Sequence, residues 1–99
     1  KDEIVIGQLK IYPNKHKVKS CGNEVTLTNK EFKLLCLLVE SKGNVLNRDQ
    51  LLTNIWGYDF DGETRTIDVH VRSLRQKLGN SGNIIETVRG IGYRIGEGS

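Results

Sequence analysis

Hydrophobic and polar residues alternate along the first quarter of the chain and then change period. Between residues 3 and 27, Ile4 and Ile6, Leu9 and Ile11, Val18, and Val25 and Leu27 alternate with polar positions, and Pro13-Asn14-Lys15 and Cys21-Gly22-Asn23 interrupt them. Period two marks strands with one buried face, and the interruptions are turn chemistry. The pattern predicts a meander of three or four short antiparallel strands. Lys15, Lys17 and Lys19 are expected along a solvated edge, where charge discourages pairing with another sheet.

From Thr28 the period becomes helical. Thr28 and Glu31 have the spacing of a capping box, in which each residue's side chain bonds the other's backbone amide. The helix they open runs through FKLLCLLVES and is expected to stop at Lys42-Gly43, with Gly43 in the left-handed position. Phe32, Leu35, Cys36 and Val39 form one stripe, while Leu34, Leu37 and Leu38 lie on other sides. A helix apolar nearly all round is a central core helix. Asn47 and Gln50 form a second capping box, opening a helix from Arg48 to Trp56 that turns Leu51, Leu52 and Ile55 inward and breaks at Gly57.

A third helix covers Thr64 to Leu78. Ile67, Val71, Leu74 and Leu78 form its buried stripe, at spacings of four, three and four. Arg65, Val69, Arg72, Ser73 and Gln76 fall opposite, flanked by Thr66 and Lys77, and Asp68 is the only acid. Asn80-Ser81-Gly82-Asn83 is read as a flexible connector. Strands at Ile84 to Val88 and Tyr93 to Ile95 follow, around Arg89-Gly90-Ile91-Gly92, whose glycines are expected to supply the positive φ of a hairpin turn.

Composition sharpens the third helix. The chain has 99 residues, a formal net charge of +3 and a pI near 9.0, the size of one domain with a mildly basic balance. Between Thr64 and Ile95 stand Arg65, Arg72, Arg75, Lys77, Arg89 and Arg94 against only Asp68 and Glu86. An outward face of guanidinium, amide and hydroxyl groups with one valine suits the DNA major groove: Arg and Gln read purine edges and valine touches a thymine methyl. By itself the stretch also reads as a basic surface helix without a ligand. Cys21 and Cys36 form neither a zinc pattern nor a C-x-x-C pair. No Ser/His/Asp set is present, and Gly90-Ile91-Gly92 is not a dinucleotide fingerprint because Ile95 stands where the third glycine belongs. No enzyme activity and no cofactor are expected. No apolar run is long enough for a membrane span or a secretion signal. The start at Lys1-Asp2-Glu3 suggests a piece of a longer protein.

Helix, short helix, basic helix and Gly-turned hairpin make a helix-turn-helix with a wing. The segment TRTIDVHVRSLRQKL followed by IIETVRGIGYRI, with LTNKEFKLLCLLVESKGNVLNRDQLLTNIWG before it, resembles the effector domain of OmpR/PhoB-type response regulators from about Ile4 to Ile95. The resemblance implies an α+β fold over residues 1–99: an N-terminal antiparallel four-stranded sheet, three helices and a C-terminal hairpin wing, without the receiver domain of the family. It implies a cytoplasmic transcription factor that binds double-stranded DNA as a head-to-tail pair on direct repeats. Its further partners would be RNA polymerase, its own receiver domain and, through that, a sensor histidine kinase.

Carried over by position, the third helix is the recognition helix. Val69 and Ser73 would face base edges. Arg65, Thr66, Arg72 and Arg75 would lie mostly on phosphate, with Arg75 extending its stem past the buried stripe to get there. Ser73 departs from the arginine that many members hold, so Arg72 or Gln76 would take over guanine readout. His70 is open between a phosphate contact and a partly buried ring bonding a neighbour. Trp56 is open between an indole bond to phosphate and an aromatic lid. Arg89 at the wing tip would enter a narrow A·T-rich minor groove, while Ile85 and Tyr93 would pack the wing onto the core. The acidic, aromatic stretch with Tyr58, Asp59, Phe60, Asp61 and Glu63 matches the family's polymerase-contacting loop. It lacks the ligands of a calcium loop. A winged helix that binds proteins instead of DNA would carry acids or apolar groups where Arg65, Arg72, Gln76 and Lys77 stand.

Overall fold

A computed structural model describes residues 3–57 and 65–96. The chain begins with four antiparallel strands in sequential order, β1 (Ile4–Ile6), β2 (Leu9–Tyr12), β3 (Lys17–Ser20) and β4 (Asn23–Val25). Register puts Ile4 beside Ile11, Ile11 beside Val18, and Val18 beside Val25, which makes one apolar row across the sheet. Because the side-chain period is two, the same register sends Lys10, Lys17 and Lys19 to the solvent face. Lys17 and Lys19 therefore decorate an inner strand, not the edge expected for them; the edges are β1 and β4.

Helix α1 (Asn29–Glu40) follows, with the Thr28–Glu31 capping box formed. Phe32, Leu34, Leu35, Leu38 and Val39 are buried in one cluster with Leu9, Ile11 and Val18 of the sheet. Cys36, expected in the buried stripe, is only half-buried. His16 stacks on Phe32 at 4.6 Å and adds a contact between sheet and helix. Helix α2 (Arg48–Trp56) has the Asn47–Gln50 capping box and buries Leu51, Leu52 and Ile55. Helix α3 (Arg65–Leu78) buries Ile67, Val71, Leu74 and Leu78, the stripe read from the spacing. Helix α1 packs against both α2 and α3, the arrangement expected of a core helix.

The C-terminal part differs from expectation in three ways. First, the wing is a three-stranded sheet. β6 (Ile85–Val88) and β7 (Gly92–Ile95) form the hairpin, and a two-residue strand β5 (Leu46–Asn47) pairs with β7 on its other side. A two-residue strand leaves no period to read. Second, Gly92 does not supply positive φ; Gly90 does, at +77°, closing a turn in which Ile91 N–H donates to Val88 carbonyl at 3.0 Å. Gly92 is glycine because a Cβ there would collide with the backbone of Leu46 and Asn47. Third, the segment after α3 is not a flexible connector. Gly79–Ile84 winds into a 3-10 helix with Ser81 and Gly82 buried. A Cβ on Gly82 would sit 2.6 Å from the Arg75 carbonyl oxygen. The Ser20 hydroxyl donates to the Leu78 carbonyl at 2.6 Å and lies 2.8 Å from the Ser81 hydroxyl, fastening this segment to β3. Polarity at Asn80, Ser81 and Asn83 hid that packing.

Candidate nucleic-acid interface

Residues of α3 three and four apart share a face, so burial of the Ile67–Leu78 stripe forces Val69, Arg72 and Gln76 to the opposite side. All three are exposed, and Val69 at 66 % is the most exposed large hydrophobic among the described residues. Arg65 is exposed at the start of the helix, with Thr66 half-buried beside it. Arg72 and Gln76 make no hydrogen bond or ion pair among the described residues, so their polar groups face water.

Other residues assigned to that surface are turned inward. The Ser73 hydroxyl donates to Glu31 Oε2 at 2.6 Å, and Lys77 Nζ donates to Glu31 Oε1 at 2.7 Å. Glu31, 3 % exposed, is thus both capping-box acid and anchor for α3. Burial alone would raise its pKa, but the bonds from Lys77, Ser73 and the Thr28 amide outweigh burial and hold it at about 2. Ser73 therefore does not stand on the outward face beside Val69 as expected. Its position borders the α1–α3 contact, and a polar residue there gave no signal of a buried carboxylate opposite.

Arg75 does extend past the stripe, but toward the wing. Its Nε and Nη2 donate to the Ile85 carbonyl at 3.1 and 2.6 Å, and Nη2 reaches Thr87 Oγ1 at 2.8 Å. His70 makes internal contacts: Nδ1 lies 2.9 Å from the Thr66 carbonyl, and the ring meets Trp56 edge-on at 4.8 Å. Trp56 is half-buried, with Lys30 Nζ 5.0 Å from its ring centroid, the arrangement of an aromatic lid. Tyr93 and Ile85 are buried, as wing-to-core packing requires. Tyr58, Asp59, Phe60, Asp61 and Glu63 lie outside the described residues.

At the wing tip Arg89 is exposed and makes no hydrogen bond or ion pair among the described residues. Ile91 beside it is 54 % exposed, an apolar group the sequence pattern did not single out. The lone acid of α3 is explained by a partner: Asp68 accepts from Arg48 Nε at 2.9 Å and from the Tyr93 hydroxyl. A single carboxylate in an otherwise basic helix was the available signal for such a partner. Among the described residues no group of acids, histidines and cysteines could hold a metal, and no helix is long and apolar enough to cross a membrane.

A family model described as "Transcriptional regulatory protein, C terminal" matches residues 22–95. The regulatory protein VanRB of Enterococcus faecalis is 46% identical over 95 residues, covering 96% of this chain and 42% of VanRB. The alkaline phosphatase synthesis regulator PhoP of Bacillus subtilis is 46% identical over 98 residues, covering 96% and 41%. The chain belongs to the OmpR/PhoB-type response-regulator family. It spans about two-fifths of the length of these curated relatives. Among solved structures, the DNA-binding domain of Klebsiella pneumoniae RstA, in complex with its RstA box, superposes with a TM-score of 0.86 at 35% identity, covering 98% of this chain and 99% of that one. DrrB, a Thermotoga maritima OmpR/PhoB homologue, gives 0.87 at 29%, covering 97% and 45%. This OmpR/PhoB-type domain therefore has the winged-helix fold of response-regulator DNA-binding domains.

Proposed function

We propose that this domain binds double-stranded DNA sequence-specifically, with α3 in the major groove and the wing tip in the adjacent minor groove. The observation that carries this reading is the outward face of α3, where Val69, Arg72 and Gln76 are exposed together. A valine two-thirds exposed on a helix with a complete core stripe has no packing role. A thymine methyl gives it one, and Arg72 and Gln76 supply donors that match purine edges. Arg65 and Thr66 at the helix start lie where phosphate contacts set register. Arg89 is the minor-groove residue. Arg75, Ser73, Lys77, His70 and Trp56 act behind this surface by holding α3 in place. RstA, crystallised with its DNA box, supports the reading by its likeness to this chain.

Within a whole response regulator, a preceding receiver domain phosphorylated by a sensor kinase would govern this activity in the cytoplasm. Two copies would bind direct repeats with centres about 10 bp apart, so that both helices meet one face of the duplex. The segment from Tyr58 to Glu63 would contact RNA polymerase, as its resemblance to the family's loop implies, and its acids are consistent with a face turned away from phosphate.

Selection from random duplexes, followed by titration of the domain on the selected and a scrambled duplex, tests the reading. A clear preference for the selected duplex, built of direct repeats, is expected. Equal affinity for both, or no binding at low salt, would sink it.

A further inference from the structure

Asp68 is where three elements meet. It stands in the first turn of α3, and its Oδ1 accepts from Arg48, which opens α2, and from the hydroxyl of Tyr93 in β7. One carboxylate thereby ties both helices of the helix-turn-helix to the wing. Bonds of this kind to an ionised acceptor are the stronger ones. The Arg48 and Arg75 guanidinium carbons lie 5.6 and 5.7 Å from the Tyr93 ring centroid, within cation–π range. Arg75 extends the tie to β6, the first strand of the hairpin, through the Ile85 carbonyl and the Thr87 hydroxyl. From this side α3 grips β6 and β7 at their paired residues Thr87 and Tyr93, directly below the tip.

Beyond that grip the hairpin carries only Val88 and Gly92 and the exposed turn Arg89-Gly90-Ile91. Strand β5 backs only the β7 side there, pairing Asn47 with Gly92, while β6 is an edge strand, so the turn takes its angle from the base of the hairpin. Any tilt at its base displaces Arg89 relative to α3, and two grooves of one duplex leave little room for such error.

We propose that the Asp68–Tyr93 bond, braced by Arg48 and Arg75, is a positioning device that sets the angle of the wing to α3. It lets Arg89 reach its groove while α3 occupies the neighbouring one. The proposal rests on the DNA-binding reading above. It assigns Asp68, Tyr93, Arg48 and Arg75 no contact with DNA; they act through Arg89.

A double-mutant cycle of Tyr93→Phe with Arg89→Ala, on a selected duplex with an A·T-rich flank, separates positioning from plain stabilisation. Tyr93→Phe removes one hydroxyl and keeps the buried ring. With Arg89 present it is expected to weaken binding about five- to tenfold, the scale of one net hydrogen bond. In the Arg89→Ala background the same change is expected to cost less than about twofold, because additivity fails only where two residues act through each other. Base preference beneath α3 stays unchanged. Asp68→Ala behaves like Tyr93→Phe, whereas Asp68→Asn, which keeps an oxygen acceptor, restores most of the lost affinity. Titrations are run well below each variant's melting temperature, followed by circular dichroism. Equal losses with and without Arg89 would overturn the proposal in favour of a purely structural tie, and no loss in either background would remove it altogether. Wild-type protein that bound no selected duplex would defeat the DNA reading itself, a result told apart by the first titration of the series.

Discussion

Lys77 Nζ lies 2.7 Å from Oε1 of Glu31, an ion pair that holds the last turn of α3 against the first turn of α1. With Ser73 on the other oxygen, it engages two outward-looking positions of the sequence in the contact between α1 and α3. The pair also sets how the domain responds to acid. The Glu31 pKa is lowered from 4.5 to about 2, so its contribution to stability is fully present above about pH 4.5 and lost as pH falls toward 2. A shift of this size corresponds to about 3 kcal/mol at most. Glu31→Gln is expected to lower stability near neutral pH and flatten the acid limb between about pH 4.5 and 2. Denaturant melts across that range measure it. Asp68, whose pKa is also lowered by its Tyr93 and Arg48 bonds against the effect of burial, leaves a residual slope in the variant. Parallel limbs for wild type and variant would show that Glu31 is not the group titrating.

Val69→Ala tests which way α3 faces. The side chain is exposed, so truncation is expected to leave the melting temperature nearly unchanged. On the selected duplex it is expected to cost about 1 kcal/mol or less, scaled from about 0.8 kcal/mol per buried methylene. On unrelated DNA the cost should be negligible. A variant that unfolds while keeping its relative site preference would mean that the face assigned to DNA is the wrong one.

Arg72 and Lys77 are basic neighbours on the same helix with opposite engagements. Arg72 faces water, and Lys77 is spent on Glu31. Arg72→Ala is expected to reduce affinity on all duplexes if it holds phosphate, or to relax one base position by about 1–3 kcal/mol if it reads guanine. Lys77→Ala is expected to lower thermal stability first. Because Arg75 and Lys77 are occupied internally, log K against log salt should slope only by about −2 to −4 per monomer. A slope near zero, or a Lys77 variant with intact stability and lost affinity, contradicts this division of labour.

Arg89→Ala should cost most on sites with an A·T-rich flank and least on G·C-rich ones, since only the former narrow the minor groove. The exposure of Arg89 at the turn motivates this. Paired titrations on the two flanks give the answer, and identical losses on both would take the wing out of the minor groove.

The two cysteines should differ in reactivity. Burial, reinforced by the charge of Glu40, pushes the Cys36 thiol up to about 11, while Cys21 is exposed in its turn. The thiolate is the nucleophile, so a thiol reagent at about pH 8 should modify Cys21 in the folded domain and Cys36 only after unfolding. Mass spectrometry of the labelled protein reads the result; rapid labelling of Cys36 under native conditions would contradict it.

The sequence made some of these features plain because they repeat or because they cap. Both capping boxes, the Ile67–Leu78 stripe and the turn at Gly90 are local patterns, and each is present where its residues stand. Outward Val69, Arg72 and Gln76 follow from that stripe. The misplaced residues are those whose environment comes from a distant segment. Ser73 and Lys77 face Glu31, some forty residues earlier, and Arg75 faces a strand that had not yet been positioned. Ser81 and Gly82 looked like loop because their packing partners are Ser20 and the Arg75 backbone. Strand β5 was invisible at two residues, although its neighbour Gly92 has the residue that its close approach demands.

Leu46 and Asn47 pair with Tyr93 and Gly92 across nearly half the chain, and Asn47 is also the N-cap of α2. Such a contact closes late, because a long stretch must be ordered before it can form. On a ribosome making the chain from its N-terminus, the first sheet and α1 can meet early, although Glu31 of α1 still waits for Ser73 and Lys77. The start of α2 instead waits, capped on one side only, until β7 has emerged. Asp68 then gains Tyr93 in the same event. Partial chains that end before Gly92 are thus expected to hold a formed first sheet and an unfinished helix-turn-helix, so that the DNA-facing surface is assembled last.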